Sequence, residues 1–469
     1  MNNFSIITFG CKVNQYESQQ LREALAGQGF KEVASHQADI SIINTCAVTV
    51  ESQGKGRRAT RRARRQNPSA FIIASGCSAA AFPEELRRAG AHLVEPDKEK
   101  VLRMLLALGP SRQSCPGQTL PGISSFQGHS RAFIKVQDGC QEFCSYCIIP
   151  YVRPFAASRP MAEVVAEAQR LAQAGYKELV LAGINLGRYN EGLSKLILAL
   201  QEIGPVERIR LSSIEASVVD RELLALAKHG KLAPHFHLPL QSGDDHILHK
   251  MNRHYTARGF LKNLDEIKSY LNEPAITSDI MVGFPGETEE EFRHTVEVAK
   301  AAQFARTHIF PFSPRPGTRA YVLPQRVPAQ VIKRRKEDLK QVTETSALEF
   351  KKKFIGKKAR ILVEFPYCPW DAEHPSLDPE SRDEGQDAKH GRRPLGTLRA
   401  PSGSEGPTSD IQPLSGYTER YLRAQFPGPQ NLRGEMVDVE ITGIEEGTLQ
   451  GRPSKAAGPG FLLTGRLLQ

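Results

Sequence analysis

Short apolar runs alternate with amphipathic stretches along the first hundred or so residues. Phe4-Ser-Ile-Ile-Thr8, Asp39-Ile-Ser-Ile-Ile-Asn44 and Ala70-Phe-Ile-Ile-Ala-Ser75 read as strands, and Ser18 to Ala26 reads as a helix. Strands apolar on both faces, separated by helical patterns, predict a parallel sheet covered on both sides. A second α/β series begins at Ala132. Its candidate strands are Ala132–Gln137, Glu178–Ala182, Arg208–Ser213, His235–Leu240, Thr277–Val282 and Thr307–Phe312, with helices such as Met161–Ala174 and Glu289–Ala302 between them. About six βα units over roughly 200 residues predict a barrel or partial barrel with its site on the loops after the strands. From Lys357 the pattern turns to β. Ala359-Arg-Ile-Leu-Val-Glu364 and Glu435-Met-Val-Asp-Val-Glu-Ile441 read as strands of a small barrel.

Two stretches interrupt these patterns. Gly109 to Gly128 is rich in Pro, Gly and Ser and reads as a linker. Pro366 to Pro413 mixes Pro, Gly, Ser and charge and reads as a disordered insertion in a surface loop. The chain therefore divides into an α/β domain (1–108), a linker (109–128), a central barrel (129–353) and a small β-barrel (354–457) split by the insertion (366–413). The fold class is α/β throughout, with a β-barrel at its end. No run of about 18 uncharged apolar residues exists, so no membrane span is expected. The N-terminus lacks a basic region leading into a long apolar run, so the expected location is the cytosol.

Eight cysteines in a reducing compartment point to metal binding or catalysis rather than to a disulfide framework. Cys11, Cys46 and Cys77 each follow a candidate strand within about three residues. Loops leaving the carboxyl ends of parallel strands converge on one edge of the sheet, so three thiols distant in sequence should meet in space. An iron–sulfur cluster with one open iron fits such a set, and so does a zinc site completed by a histidine. Cys140, Cys144 and Cys147 form a tighter group with Cys-x3-Cys-x2-Cys spacing. Three thiolates at that spacing wrap three corners of a [4Fe–4S] cubane, whereas ferredoxin-type clusters use four. The open iron can take the amino and carboxylate groups of S-adenosylmethionine (SAM), whose reductive cleavage yields a 5′-deoxyadenosyl radical. A zinc site wants a fourth Cys or His, and none follows closely after Cys147. Cys115 in the linker, and Cys368 and the sole tryptophan, Trp370, at the start of the insertion, are assigned no role.

Charge adds one feature. The formal net charge is +10, and seven positive charges lie between Lys55 and Arg65 with no acid among them, leaving +3 for the rest of the chain. At about 100° per residue, Lys55 and the six arginines cover roughly half of a helical wheel, with Ala59 and Ala63 opposite. That pattern predicts a helix packed by its small face, with Arg57, Arg58, Arg61, Arg62 and Arg65 offered to a polyanion. Met281-Val-Gly-Phe-Pro-Gly-Glu287 follows a candidate strand, and its glycines permit a ligand to approach the backbone closely.

Together these residues resemble the radical-SAM methylthiotransferases over nearly the whole chain. Gly10-Cys11-Lys12-Val13-Asn14-Gln15, Asn44-Thr45-Cys46 and Gly76-Cys77 are similar to the family's first cluster segments. Phe133 through Pro150 resembles its radical-SAM signature. His237-Leu-Pro-Leu-Gln-Ser-Gly243, Met251-Asn-Arg253, Val282 through Thr288 and Phe310 through Thr318 match further segments. The tail around Gly416-Tyr-Thr-Glu-Arg-Tyr421 resembles a TRAM domain, a small RNA-binding β-barrel. The resemblance implies a radical-SAM core at 129–353, two [4Fe–4S] clusters, SAM as co-substrate and tRNA as partner. It implies that Cys11, Cys46 and Cys77 hold an auxiliary cluster that delivers sulfur, which a second SAM methylates. It also implies a low-potential electron donor of flavodoxin or ferredoxin type and a sulfur donor. The chain is expected to act as a monomer. Asn185, Ser213, Glu215 and Gln241, placed at strand ends, and Tyr146, inside the cysteine group, are the expected SAM contacts.

Cys11-Lys12-Val13-Asn14 looks like the branch acting on N6-threonylcarbamoyladenosine at tRNA position 37. The isopentenyladenosine branch, the alternative, more often shows Cys-Gln-Met-Asn. The chain lacks the C-terminal membrane anchor of animal relatives, so a bacterial source is expected. One stretch departs from the family pattern. After Tyr151-Val-Arg153 the family usually continues Gly-x-Glu-x-Ser-Arg, and here the residues are Pro154-Phe-Ala156-Ala-Ser158-Arg159. That change raises a further alternative, a tRNA-binding relative with an impaired site, unless another acid such as Glu215 substitutes.

Overall fold

The computed structural model describes residues 2–108, 122–364, 411–445 and 448–453. Its N-terminal layer is a five-stranded parallel sheet. The strands are β1 (Asn3–Thr8), β2 (Lys31–Glu32), β3 (Ile40–Thr45), β4 (Phe71–Gly76) and β5 (Leu93–Val94), in spatial order β2-β1-β3-β4-β5. The period-2 alternation of a strand splits its apolar residues between two faces. Phe4, Ile6, Ile40, Ile42 and Ile73 pack with Leu21 and Leu25 of α1 (Lys12–Gly27) and with Val101 and Leu105 of α5 (Lys98–Leu108). Ile7, Ile43, Ile72 and Ala74 pack with Ala59 and Ala63 of α2 (Val50–Gln66) and with Ala79 and Leu86 of α3 (Cys77–Ala81) and α4 (Pro83–Arg88).

The helix expected at Ser18–Ala26 starts earlier, at Lys12. Its first turns carry Asn14, Gln15 and Glu17, polar residues that interrupt the apolar period yet are buried. Asn14 is buried because its Nδ2 donates to the Phe9 and Thr45 carbonyls at 2.8 and 3.1 Å.

The central unit contains six parallel strands: β6 (Ala132–Lys135), then β9 (Glu178–Ala182), β10 (Arg208–Leu211), β11 (His235–His237), β12 (Ala275–Val282) and β13 (Arg306–Pro311). Between β6 and β9 lie β7 (Gln137–Asp138), α6 (Ile149–Val152), β8 (Ala157–Ser158) and α7 (Met161–Gln173). The six strands form two runs, β6-β9-β10 and β11-β12-β13, joined by the bridge Ile209↔Leu232. Helices α8 (Leu193–Gln201), α9 (Arg221–His229), α10 (Asp245–Lys250), α11 (Ala257–Tyr270), α12 (Glu289–Ala302) and α13 (Ala329–Lys352) complete this part. Among the described residues β6 and β13 are not paired, so the barrel is partial. The N-terminal layer closes against it: Tyr16 of α1 enters the barrel's core, and its hydroxyl donates to Glu167 of α7 at 2.9 Å.

Three expectations need correction. The interruption at 109–128 is not a bare linker throughout, because Ile123 and Phe126 are buried in the barrel's core and Glu23 accepts from the Ser124 and Ser125 amides; Cys115 lies outside the described residues. β12 starts at Ala275 rather than Thr277, since residues 275–276 still pair with His235 and Phe236 of β11. The insertion ends before Ile411, because β15 (Ile411–Thr418) includes Pro413. Pro413 faces Pro427 of β16 (Arg423–Pro429), while β14 (Lys358–Val363) pairs only with residues 416–418 of β15. Among the described residues Pro413 therefore sits where its strand has a neighbour on one side, which a residue without an N–H tolerates. Cys368 and Trp370 lie outside the described residues.

β14, β15, β16, β18 (Thr448–Pro453) and β17 (Met436–Glu445) close in that order into a small barrel. Its core includes Ile361, Val363, Leu414, Phe426, Val439 and Ile441, with Phe350 from the end of α13. No helix among the described residues is long and apolar enough to cross a membrane.

Candidate active site

Cys11, Cys46 and Cys77 stand at the carboxyl ends of β1, β3 and β4, where the parallel sheet brings its loops together. Glycines make the convergence possible. Gly10 has φ +107, and a Cβ there would lie 2.9 Å from Cys46 Cβ. Gly76 has φ +86, and a Cβ would meet Asn44 Oδ1 at 2.4 Å and the Thr45 carbonyl at 2.5 Å. Side chains then lock the loops: Asn44 Nδ2 donates to the Asn14 carbonyl at 2.9 Å, Thr45 Oγ1 to the Ser75 carbonyl and Ser78 Oγ to the Cys46 carbonyl, both at 2.5 Å. Burial pushes the Cys46 thiol up to about 12, and the neighbouring Cys77 and Cys11 add to that. Burial likewise raises Cys11.

Cys140, Cys144 and Cys147 lie on the loop after β6 and β7. Gly139, at φ +73, lets the loop press against the β7–β8 hairpin, where a Cβ would stand 2.1 Å from the Phe155 carbonyl. The Cys140 amide donates to the Arg153 carbonyl at 3.3 Å. Phe143 holds φ +48, unusual for a bulky residue. Asn252 Nδ2 steadies that turn, donating to the Glu142 and Phe143 carbonyls at 3.0 and 3.1 Å. The Ser145 amide donates to the Met251 carbonyl at 2.9 Å. Burial pushes the Cys147 thiol up to about 12. Arg253 donates to Cys144 Sγ at 3.4 Å while its other nitrogen pairs with Glu215 at 2.8 Å.

Three thiols with no fourth Cys or His in the sequence motifs quoted for either set suit a cubane with one open iron better than a closed tetrahedral zinc site.

The two sets face each other. Cys77 shares one apolar cluster with Ala47, Ile148 and Ile149, against which Cys140 and Cys147 also pack. Arg153 spans the gap. Its Nε donates to Cys77 Sγ at 3.4 Å, one terminal nitrogen binds Glu17 at 2.8 Å and Asp138 at 2.7 Å, and the other donates to Asn14 Oδ1 at 2.9 Å. Burial alone would raise the Glu17 carboxyl, but Lys98, Lys135 and Arg153 outweigh it and hold it well below the usual range. Glu17, Asp138 and Arg153 are functional neighbours that residue patterns did not single out. Arg153 stood inside a quoted motif, but Glu17 is silent in sequence because nothing marks a helical glutamate as buried.

The expected SAM contacts divide. Asn185 Nδ2 donates to Glu142 at 3.4 Å, Glu215 pairs with Arg253, and Tyr146 packs with Ile247, Met251 and Met281, so these three surround the Cys140 loop. Gln241, four residues past β11 and bridged to Ile280 of β12, has φ +64 and a buried Oε1 with no hydrogen-bond partner among the described residues. Ser213 instead lines a separate cavity with Lys12 and Tyr421. In the segment 281–287, a Cβ on Gly283 would meet Ile332 of α13 at 2.5 Å, so a helix rather than a ligand makes the close approach there.

Pro154, Phe155 and Ala156 are exposed, and main-chain atoms hold their loop. Beside them, Glu17 and Asp138 supply acids to Arg153. On α2, Ala59 and Ala63 are buried, as the wheel predicts, and Arg58, Arg61, Arg62 and Arg65 are exposed. Arg57 differs from expectation: it is half-buried and pairs with Glu85 of α4 at 2.5 Å, an acid on a neighbouring helix that the local run could not reveal.

Residues 134–299 match the Radical SAM superfamily, and residues 3–94 match the uncharacterized protein family UPF0004. The chain is 39% identical over 372 residues to threonylcarbamoyladenosine tRNA methylthiotransferase MtaB of Chlamydia pneumoniae, covering 77% of this chain and 86% of that protein. It is 34% identical over 454 residues to the protein of the same name from Bacillus subtilis, covering 92% of each. It is also 34% identical over 395 residues to tRNA-2-methylthio-N(6)-dimethylallyladenosine synthase of Syntrophomonas wolfei, covering 77% of this chain and 86% of that one. The radical SAM methyltransferase TsrM from Kitasatospora setae is similar in fold, with a TM-score of 0.52 at 16% identity over 69% of this chain and 77% of that one.

Proposed function

Because this chain belongs to the radical-SAM tRNA methylthiotransferases, we propose that it methylthiolates C2 of N6-threonylcarbamoyladenosine at position 37 of tRNA. Its cofactors are SAM and two [4Fe–4S] clusters. The observation that carries the reading is the meeting of two cysteine sets across the apolar cluster around Cys77, Ile148 and Ile149. Bound SAM supplies a 5′-deoxyadenosyl radical at one cluster and, from a second molecule, the methyl group.

This chain's residues do the rest. Cys140, Cys144 and Cys147 hold the SAM-binding cluster, and Arg253 keeps Cys144 and Glu215 in register. Tyr146, Asn185, Glu215 and Gln241 line the space where SAM binds, with Ser213 further off. Cys11, Cys46 and Cys77 hold the sulfur-delivering cluster, and Arg153 fixes its distance from the first. The apolar walls exclude water and so strengthen the electrostatic interactions inside the site. Exposed Arg58, Arg61, Arg62 and Arg65 draw tRNA phosphates, with Arg57 shaping the helix through Glu85. The C-terminal barrel (354–457) serves as a TRAM-like RNA-binding module beside a radical-SAM core (129–353) and the N-terminal domain (1–108). A low-potential flavodoxin- or ferredoxin-type donor supplies electrons, and a separate donor replenishes sulfur.

The relatives with the highest identities among those compared carry the threonylcarbamoyladenosine name, which favours that substrate over dimethylallyladenosine. Mass spectrometry of tRNA nucleosides from a deletion strain tests this. The 2-methylthio form of threonylcarbamoyladenosine should disappear and its unthiolated form accumulate. Loss of the dimethylallyl product instead would overturn the assignment.

A further inference from the structure

We infer that the outer side of the Cys140 loop is the docking face of the electron donor, and that the donor is a small acidic flavoprotein of the flavodoxin type. This rests on the proposed reading of Cys140, Cys144 and Cys147 as the place where SAM is cleaved. The face is made of Phe143 from the loop, Tyr151 from α6, and Tyr321 and Val322 beyond β13. All four are exposed, Val322 by 79%. A hydrogen bond joins the two segments, since the Ala320 amide donates to the Ser145 carbonyl at 2.7 Å. The Phe143 and Tyr151 rings meet edge to face with centroids 5.8 Å apart. Exposed apolar side chains gathered beside a functional loop mark an interaction site.

The position suits electron entry. Phe143 directly precedes Cys144, so a carrier seated on its ring is separated from the cysteine set by a single loop. That loop is fixed in place: Phe143 is held at φ +48, with Asn252 bound to its carbonyl and to that of Glu142. A large side chain in this backbone region is strained, and it persists only where the surroundings enforce it. The inner side of the loop is taken up otherwise. Arg253 reaches Cys144 Sγ and Glu215 there, and Tyr146 packs with Ile247, Met251 and Met281. SAM and the carrier thus have separate sides. The carrier gives up one electron at the outer side and the cluster gains it; the same electron enters the sulfonium as its carbon–sulfur bond breaks.

Charge and shape name the occupant. The rim is cationic. Arg188 stands exposed beside Glu142, at 3.0 Å, and Arg319 and Arg326 are exposed on either side of Tyr321. Arg326 also lies 5.0 Å from the centroid of the Phe312 ring. Such a rim draws in an acidic partner and orients it. The centre argues against tRNA as that partner. Unpaired bases stack on open aromatic faces, and Val322, the most exposed of the four, has none. The Phe143 and Tyr151 rings stand at 78° to one another and offer no shared plane. An apolar and aromatic centre ringed by arginines is instead the composition of a protein interface. The apolar edge of a flavin ring matches that centre.

The test titrates an acidic flavodoxin, and in parallel an acidic ferredoxin, into the anaerobically reconstituted holoenzyme by calorimetry. It also compares 5′-deoxyadenosine formation driven by flavodoxin and its NADPH-linked reductase with formation driven by dithionite. Val322→Glu should weaken flavodoxin binding about 10-fold, as a charge set into an apolar centre requires. Its flavodoxin-driven rate at subsaturating donor should fall by a similar factor, while its dithionite-driven rate stays within about twofold of wild type. Arg319→Glu should weaken binding about 10-fold at low salt and much less at high salt. Unchanged flavodoxin binding in both variants would overturn the inference, and so would equal losses with the two reductants. Binding of ferredoxin but not flavodoxin by the wild type would overturn the choice of a flavin carrier. Weaker tRNA binding by Val322→Glu at unchanged flavodoxin affinity would assign the face to RNA. A wild-type enzyme that makes no 5′-deoxyadenosine with either reductant would overturn the proposed function along with the inference.

Discussion

Glu178 offers the sharpest energetic test of how the three parts are joined. It is fully buried, pairs with Arg208 and Arg210, and lies 3.7 Å from Arg131. Arg208 also donates to the Arg360 and Tyr417 carbonyls of the small barrel, and Arg210 to those of Thr418 and Glu419. Glu178→Gln keeps the shape and removes the charge. Two routes give its cost. Burial raises the Glu178 carboxyl, but Arg210, Arg208 and Arg131 outweigh it and hold it at about 2 against an ordinary 4.5. At 1.36 kcal/mol per pH unit that difference corresponds to about 3 kcal/mol. Breaking a buried ion pair from one side independently costs about 3–5 kcal/mol. The folded-state value is depressed, so this stabilisation is complete above about pH 5 and fades as pH falls toward 2. Urea unfolding of the variant at pH 7, followed by circular dichroism, should show a loss of about 3 kcal/mol at unchanged m. The gap to wild type should narrow in acid. A loss below about 1 kcal/mol at pH 7, or a gap independent of pH, would refute the argument that this carboxylate is what neutralises the arginines.

Gly139→Ala forces an alanine into φ +73 and a Cβ against the Phe155 carbonyl. The reconstituted protein should therefore hold about four irons rather than eight, and full iron loading would refute the contact. Arg58→Glu with Arg61→Glu should flatten the dependence of log K for tRNA on log salt by about 1.5 to 2, as loss of two phosphate contacts requires; an unchanged slope would remove α2 from the interface. Arg153→Met should cost about 3 kcal/mol, because Glu17 keeps Lys98 and Lys135 while Asp138 keeps only Lys135. Arg153→Lys should rescue little, since one ammonium cannot reach Cys77, Asn14 and Asp138 together; thermal melts equal to wild type would contradict this.

Much of the architecture was legible because it repeats a period. Strands such as Ile40–Thr45 and Glu178–Ala182 are continuous apolar or nearly apolar runs, and Cys46 marks the end of the first. Legibility failed where polar residues were buried by partners distant in sequence. Asn14, Gln15 and Glu17 hid the first turns of α1, and Glu85 withdrew Arg57 from a face that the wheel assigned to solvent. Ile123 and Phe126 were concealed within a stretch whose Pro and Gly content suggested no packing. At the site, spacing located all six cysteines but not Arg153 or Arg253, because an arginine's partner is a matter of topology.

The strut made by Arg153 has a consequence for how such enzymes diversify. Its partners come from both sides: Asn14, Glu17 and Cys77 from the N-terminal layer, Asp138 from the barrel. The halves therefore form a matched pair rather than interchangeable modules. A chimera that joins this N-terminal layer to a relative's barrel should assemble only if the barrel brings an arginine and an acid at these two places. The layer and the barrel must be inherited together.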